Sequence, residues 1–365
     1  MGDTNDFSIK AQLYLALGSL LSGAVLVVYL GSRRLLHYTL EKREKNHSFE
    51  EVLHTDDTLA LPFMGSMVLF LAYVFLRFIP LDYFNTVISF YLSVIGILSL
   101  GSFLKAYINP SFFTGIFCCA VGGVYYMTNS WLANNLLTIA IGVRTIGSVH
   151  LGSFQSAFVM LLGLFLYDIF WVFGSDVMLT VAGGINGPIK LVFPRTIFGD
   201  HKEVSLLGLG DLIVPGFFIA QTLIFSMEYV KRGTFYFNVV IVAYTMSLMN
   251  TMVVMIVFDH GQPALLFIVP WLLIAFFGAV AVKGDLKPVF AYTSDAVTFQ
   301  NVDSREKTEA DSLLKNQLEE NEKEETFYDV LWWEILALFG REPTTENMDH
   351  STQKEEAKGR SKKEQ

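Results

Sequence analysis

Two aspartates stand out as candidates for chemistry, because each lies inside an otherwise apolar stretch of the chain. Asp168 occurs in LGLFLYDIFWVFG (Leu162–Gly174), and Asp211 occurs in LLGLGDLIVPGFF (Leu206–Phe218). An ionised carboxylate in the hydrocarbon core of a membrane costs at least about 2.5–3.5 kcal/mol on insertion scales. Such acids therefore mark a function or a specific partner. The other carboxylates near these stretches, by contrast, lie at the edges of apolar runs, where water reaches them.

A pair of neighbouring carboxyl groups in a low-dielectric setting is expected to share one proton, since two negative charges would repel each other. An ionised carboxylate can then take a proton from water, while its protonated partner donates one to a scissile carbonyl. This is the arrangement of an aspartic protease. Buried acids also serve ion or proton transport, and some only make hydrogen bonds between helices. Spacing alone leaves these alternatives open.

The elements that must position the two acids are membrane-spanning helices. Hydrophobic residues make up 52% of the 365 residues, and apolar runs long enough to cross a core of about 30 Å recur along the chain. The runs are continuous rather than alternating, which favours helices over a barrel. The predicted class is an all-α polytopic membrane protein with nine spans, at about 11–30, 61–79, 83–104, 112–128, 131–146, 154–175, 205–226, 235–257 and 263–282. Asn134 and Asn135 weaken the apolar signal of the fifth span.

The sixth and seventh spans are predicted to bring the two acids to one level. Asp168 lies six residues before Gly174, and Asp211 lies six residues after Ser205. At about 1.5 Å per residue, each acid would lie about 9 Å below the same membrane face. Antiparallel neighbouring helices would then place the acids side by side.

Basic residues predict the orientation of the chain. A cluster of five follows the first span: Arg33, Arg34, Lys42, Arg43 and Lys45. The positive-inside rule places this cluster in the cytosol, so that the N-terminus is lumenal and the C-terminal tail cytosolic. The sequon at Asn46 would then lie in the cytosol and stay unglycosylated.

The chain divides into a predicted membrane domain, residues 1–290, and an acidic, largely disordered tail, residues 291–365. Residues 284–365 hold 19 acidic and 11 basic residues, and so carry almost all of the net charge of −9. Within the tail, residues 327–340 are apolar but too short to span, which indicates a helix lying on the membrane or docking on a protein. Lys362 and Lys363 resemble a di-lysine retrieval signal of the endoplasmic reticulum.

Three short motifs resemble those of the presenilin-type intramembrane aspartyl proteases. Tyr167-Asp168 resembles their YD motif, Gly208-Leu209-Gly210-Asp211 their GxGD motif, and Pro263-Ala264-Leu265 their PAL motif. The motifs follow the family's order, on the sixth, seventh and ninth spans. The surrounding sequences resemble signal peptide peptidase more than presenilin, and the loop between the acids is only about 30 residues long. The likeness covers roughly residues 1–290.

The resemblance implies a presenilin-like fold and a protease of the endoplasmic reticulum membrane. Asp168 and Asp211 would be its catalytic dyad. Its substrates would be signal-peptide remnants and type II transmembrane segments, oriented opposite to the catalytic helices. No metal and no organic cofactor is implied, which agrees with the lack of any Cys/His metal spacing. No nucleic-acid patch is present, and partners beyond substrates and the bilayer stay open, a homo-oligomer included.

The remaining motif residues are expected to shape the site. Gly208 and Gly210 lack side chains, so that backbone or substrate can approach Asp211, although glycines also serve helix packing. Pro263 suits the first turn of a helix, and the resemblance adds that Pro263, Ala264 and Leu265 border the cleft. Tyr167 is expected either to donate a hydrogen bond near the dyad or to pack.

The loop between the two acids contains β-like runs at Val177–Ala182 and Pro188–Phe193. We expect an edge of this loop to pair with unwound substrate as an added strand. An ion- or proton-coupled transporter using the same two acids remains the alternative function at this stage, and a protein with the fold but no turnover is a third.

Overall fold

The computed structural model of the protein describes residues 2–44, 52–53, 55–78, 81–105, 112–174, 187–194, 204–258 and 263–293. Within these ranges the chain is mainly helical. The helices are α1 (Gly2–Glu44), α2 (Thr55–Phe78), α3 (Leu81–Lys105), α4 (Phe112–Thr128), α5 (Trp131–Ser148), α6 (Phe154–Gly174), α7 (Gly210–Ile224), α8 (Phe235–Phe258), α9 (Leu265–Lys283) and α10 (Leu286–Ala291). The strands are β1 (Val52–Leu53), β2 (His150–Leu151), β3 (Lys190–Pro194) and β4 (Val204–Gly208).

Helices lie at all nine predicted spans. Among the described residues, seven of them are long and apolar enough to cross a membrane. The two others are α4, which has only 17 residues, and α5, whose polar side chains include the buried Asn134 and Asn135. The all-α polytopic class is therefore confirmed, while the count of nine spans and their orientation stay predictions.

The surface of α2 shows what a membrane-facing helix requires. Phe63 is 77% exposed, and the neighbouring Met64, Met67 and Val68 are exposed as well. Apolar patches of this size are unfavourable in water but suit contact with lipid chains. Only 6% of the α2 span is buried inside the protein, against 67% of the span from Gly210 to Tyr229. Helix α7, which carries Asp211, is therefore the centre of the bundle.

Helix α1 packs against α5 and α7, and its inner face supplies fully buried side chains such as Val27 and Val28. Helix α9 packs along α8 and also contacts α6, while α2 covers the outer side of α6. The three helices that carry the acids and the PAL motif, α6, α7 and α9, are thereby held in one central group.

An aromatic cluster fixes these three helices at one end. Phe154, at the start of α6, is fully buried. Its ring centroid lies 4.9 Å from that of Phe276 on α9 and 5.1 Å from that of Phe225, in the π-helical turn that extends α7. Asp168 lies about 21 Å further along α6, at about 1.5 Å per residue. The cluster therefore anchors the helices at the end opposite to the two acids.

The predicted seventh span differs from the structure at its start. Residues Val204–Gly208 form strand β4, which pairs with β3 in antiparallel register, with Leu191 opposite Leu207. Helix α7 begins only at Gly210, so Asp211 lies in its first turn rather than six residues inside it. A short apolar run does not distinguish strand from helix, and here pairing with β3 decides the outcome. The β-like run at Pro188–Phe193 is confirmed as β3.

An ion pair ties the start of α8 to the end of α9. Arg232 donates to both carboxylate oxygens of Asp285, from Nε at 2.5 Å and from Nη2 at 2.9 Å, and the Tyr236 hydroxyl donates to the same group. The hydrogen bonds from Arg232 hold the pKa of Asp285 below its usual value. Gly284, with a φ of 74°, provides the left-handed residue that ends α9 just before Asp285.

We expect Arg232→Gln to lower the melting temperature of the purified protein at neutral pH. The lowered pKa means that the stabilisation is complete above the usual aspartate value of about 3.9. It is lost as the pH falls through the still lower native value. The difference from wild type should therefore shrink below about pH 4. Lys231→Gln, an exposed neighbour with the same charge change, is the control. A difference that persists unchanged into acid would contradict a role for the ionised pair.

Several predicted features lie outside the described residues. These are the sequon at Asn46, the β-like run Val177–Ala182, the apolar tail segment 327–340, and Lys362 and Lys363.

Candidate active site

Asp168 is held against the start of α9. Its side chain is 5% exposed, and its Oδ2 accepts a hydrogen bond from the backbone N–H of Leu265 at 3.1 Å. Leu265 is the first residue of α9, so this N–H is one of the amides that a helix start leaves without an internal partner. The helix dipole also favours a carboxylate at this position. The YD and PAL motifs therefore meet at a single hydrogen bond.

Asp211 is the second acid of the site. The two carboxyl groups are close enough for the charge of Asp168 to act on Asp211. Asp211 is half-buried and belongs to the first turn of α7. A Cβ atom at Gly208 would lie 3.4 Å from its Oδ2, an ordinary van der Waals contact. The structure thus brings together both predicted acids, the first glycine of the GxGD motif and the start of the PAL helix.

Tyr244 supports Asp211 from α8, and sequence reasoning missed it. Its side chain is fully buried, and its hydroxyl donates to the backbone carbonyl of Asp211 at 3.2 Å. In a regular helix that carbonyl would accept from the N–H of residue 215, but Pro215 has none. Tyr244 therefore supplies the donor that the proline removes. The signal in the sequence was Pro215, four residues after Asp211.

For the peptide hydrolysis that the motif resemblance implies, we expect Tyr244→Phe to reduce the rate by about five-fold, since one hydrogen bond contributes about 1 kcal/mol. The change should appear in kcat rather than in KM, because the bond orients Asp211 without touching substrate. Tyr125→Phe is the matched control, as Tyr125 is also buried but belongs to a separate cluster with Leu100 and Leu137. Equal rates for Tyr244→Phe and wild type would contradict the positioning role.

The other predicted site residues surround this arrangement. Pro263 is buried just before α9, and its carbonyl accepts from the N–H of Leu266 at 3.2 Å. Ala264 occupies the N-cap position. A Cβ at Gly210 would meet nothing within 4 Å, so the structure leaves open space beside Asp211. The ring of Tyr167 faces Gly65 of α2, with its nearest carbon 3.4 Å from a Cβ built there.

The β3–β4 hairpin borders the acids, and α5 fixes its position. Asn135 accepts from the N–H of Val192 and donates to its carbonyl, both at 2.8 Å. Asn134 donates to the carbonyl of Lys190 at 2.8 Å. The two asparagines act as a substitute strand along the outer edge of β3. Their polar side chains, which weakened the apolar signal of the fifth span, therefore have a structural purpose.

The opposite edge of the hairpin belongs to β4. Because Val192 bonds outward to Asn135, the pair Val192–Leu206 is one whose backbone groups point away from each other. The backbone of Leu206 therefore faces away from β3. The side chains of Val204 and Leu206 are 44% and 52% exposed. This edge leads directly into Gly208 and Asp211.

The described residues contain no group of three or more His, Cys, Asp or Glu side chains that could hold a metal ion. What the site offers instead is two carboxyl groups within electrostatic range of each other, one backbone N–H donor, open space at Gly210 and a strand edge. These parts can bind an extended peptide and carry out acid–base chemistry on it with water.

Comparison with known proteins agrees with this geometry. The family model described as signal peptide peptidase matches residues 109–296. Signal peptide peptidase of Homo sapiens is 34% identical over 361 residues, which cover 87% of this chain and 93% of that protein. The mouse protein of the same name, from Mus musculus, is 32% identical and covers 88% and 95%. Intramembrane protease 2 of Caenorhabditis elegans is 36% identical over 55% of this chain and 46% of its own length.

Proposed function

Because this chain belongs to the signal peptide peptidase family of intramembrane aspartic proteases, we propose that Asp168 and Asp211 are the catalytic dyad that hydrolyses peptide bonds within the membrane. The observation that carries the proposal is the meeting of three elements at one point. Asp168 on α6 bonds to the start of α9, and its charge acts on Asp211 at the start of α7.

The proposed chemistry uses the two carboxyl groups in complementary protonation states. Two adjoining carboxylates would repel each other, so the pair holds one proton. The ionised carboxylate takes a proton from water, whose oxygen attacks the scissile carbonyl carbon, while the protonated carboxyl donates to the carbonyl oxygen. The resulting tetrahedral diol then collapses. The C–N bond breaks as the carboxyl that took the proton from water gives it to the leaving nitrogen. The other carboxylate takes a proton from a hydroxyl of the diol, so the dyad returns to its starting state.

The substrate is proposed to bind as an added strand on β4. A helical segment hides its backbone, so it must unwind before its peptide bond can be attacked. The outer edge of β3 is already used by Asn134 and Asn135, which leaves β4 as the pairing edge. The sequence pointed to the run that holds Ile189 and Leu191, which is β3, so this proposal moves the pairing from β3 to β4. In strand addition the main-chain hydrogen bonds supply the affinity, and they do not depend on the side chains of the substrate.

We further propose that the substrates are signal-peptide remnants and type II transmembrane segments of the endoplasmic reticulum membrane. The similarity to the human and mouse signal peptide peptidases supports the first class. The basic residues after the first span support a lumenal N-terminus and a cytosolic tail, in which Lys362 and Lys363 would act as a retrieval signal. With that topology the dyad opens towards the lumenal half of the membrane.

The test is to incubate the purified full-length protein in detergent with a synthetic signal peptide and to identify products by mass spectrometry. Wild type should yield two complementary fragments, and Asp211→Ala none. The transporter alternative requires an ion flux that depends on the two acids. We expect the reconstituted protein to show no such flux. Equal product from wild type and Asp211→Ala would remove the catalytic assignment for that residue.

A further inference from the structure

A basic cavity lies at the far end of the bundle from the two acids. It has a volume of about 500 Å³ and lies between α1, α3 and α5, where α3 ends at Lys105. We name it the basic cavity after Arg33, Arg34, His37 and Lys105, which line it. Its volume falls within the range of roughly 300–1,000 Å³ that is typical of small-molecule sites. None of the proposed catalytic groups lines it.

The charge of the lining selects for an anion. Three basic side chains, Arg33, Arg34 and Lys105, and one acidic side chain, Glu41, are among the described residues that line the cavity. Guanidinium groups bind phosphate oxygens in a planar, two-pronged geometry, while an ammonium acts as a point charge. A phosphate group is therefore the chemistry that this lining fits.

Arg34 is held in place before any ligand arrives. It donates from Nη2 to Oγ of Ser102 at 2.7 Å and from Nη1 to the Ser102 carbonyl at 3.3 Å. Its stem packs against Gly147 of α5 so closely that a Cβ there would lie 2.6 Å from Cδ of Arg34. The guanidinium is thus fixed at the junction of the three helices, which lowers the entropy lost on binding.

The surroundings of the cavity indicate that its ligand belongs to the membrane. Leu30 and the buried Val143 line the apolar side. On α1, close to Leu30, Tyr29 and Leu26 are 39% and 48% exposed, as lipid-facing side chains would be. The guanidinium of Arg33 lies 5.4 Å from the ring centroid of Tyr29, a contact typical of the membrane interface. An anion bound here would lie beside acyl chains.

We propose that the basic cavity binds the headgroup of an anionic membrane phospholipid, with its phosphate at Arg33, Arg34 and Lys105. Basic pockets between transmembrane helices are a recurrent means of binding such headgroups. The site is separate from the proposed dyad, so the proposal stands whether or not the catalytic assignment does.

The experiment measures lipid binding to the purified full-length protein by native mass spectrometry. The probe is a short-chain phosphatidylinositol phosphate, with a phosphatidylcholine of the same chain length as the neutral comparison. The double variant Arg33→Gln/Lys105→Gln should bind the probe about 25-fold more weakly, since each charge contributes about five-fold. Glu41→Gln, which removes the acid, should bind it about five-fold more tightly. Phosphatidylcholine binding should not change in either variant.

A matched control removes two exposed bases outside the cavity, Lys231→Gln/Lys287→Gln, and should bind the probe as wild type does. Equal weakening in both double variants would overturn the proposal in favour of general electrostatic attraction.

The soluble inositol phosphate headgroup, added as competitor, should displace the lipid poorly. If the soluble headgroup displaced the lipid at a concentration equal to that of the lipid, the claim that the ligand is a membrane lipid would be overturned. All variants should elute and melt as wild type does, and Glu41→Gln tests the site by a gain that misfolding cannot produce.

Discussion

Asp168→Asn and Asp211→Asn are each expected to reduce peptide-bond hydrolysis by about four orders of magnitude, the range seen when one member of a catalytic set is removed from a protease. Asparagine has nearly the shape of aspartate and can still accept the hydrogen bond from Leu265. It cannot exchange a proton with water or with the scissile carbonyl. The fold should therefore survive while the acid–base chemistry stops.

The two substitutions should also be strongly non-additive. If the carboxyl groups act as one unit that holds one proton, the double variant should be no slower than either single variant. Asp56→Asn is the control, because Asp56 is an exposed acid at the start of α2, and it should keep full activity. Rates are measured on purified protein by the appearance of both peptide fragments. A double variant slower by the product of the two single effects would contradict a shared function.

Leu206→Pro is expected to lower the cleavage of a transmembrane substrate by about ten-fold, since it removes one main-chain donor from the proposed pairing edge and restrains the strand. The N–H of Leu206 points away from β3, so the hairpin itself loses no hydrogen bond, and edge strands tolerate proline. The melting temperature should stay near that of wild type.

Leu206→Ala is the matched control for Leu206→Pro. It removes the exposed side chain but keeps the N–H, so its cleavage rate should lie much closer to wild type. Leu191→Pro should lower the stability of the protein, unlike Leu206→Pro. The backbone of Leu191 pairs with Leu207 inside the hairpin, and proline removes the N–H of residue 191 from this pairing. Full activity of Leu206→Pro, with normal stability, would show that substrate does not pair with β4.

The two acids could be found from sequence because a carboxylate in an apolar helix is costly and therefore conspicuous. The helices could be predicted as well, since each apolar run must satisfy its own backbone in lipid. The start of α7 could not be predicted, because the short run Val204–Leu207 fits a strand and a helix equally. Whether it forms a strand depends on its pairing with β3. Only a contact with another segment of the chain decides whether such a run forms a strand or a helix.

Other parts of the site depend on contacts that leave no local pattern. In the sequence, Tyr244 is one more aromatic residue in an apolar helix. In the structure, its hydroxyl donates to the Asp211 carbonyl, which has no helical donor because residue 215 is proline. In the sequence, Asn135 only lowers the hydrophobicity of the fifth predicted span. In the structure, its side chain accepts a hydrogen bond from the backbone of β3 and so holds this strand in place. The hydrogen bond between Asp168 and Leu265 joins residues far apart in sequence, and motif order indicates their proximity without giving its geometry.

The central claim, that Asp168 and Asp211 act together on one water molecule, is tested most directly by an experimental structure of the protein with a bound hydroxyethylene peptide. The hydroxyl of such a compound stands in for the attacking water in the tetrahedral intermediate. We predict that this hydroxyl lies within about 2.6–3.2 Å of an oxygen of each carboxyl group, with the flanking peptide extended along β4. A hydroxyl bound away from the acids, or carboxyl groups too far apart to share it, would contradict the claim.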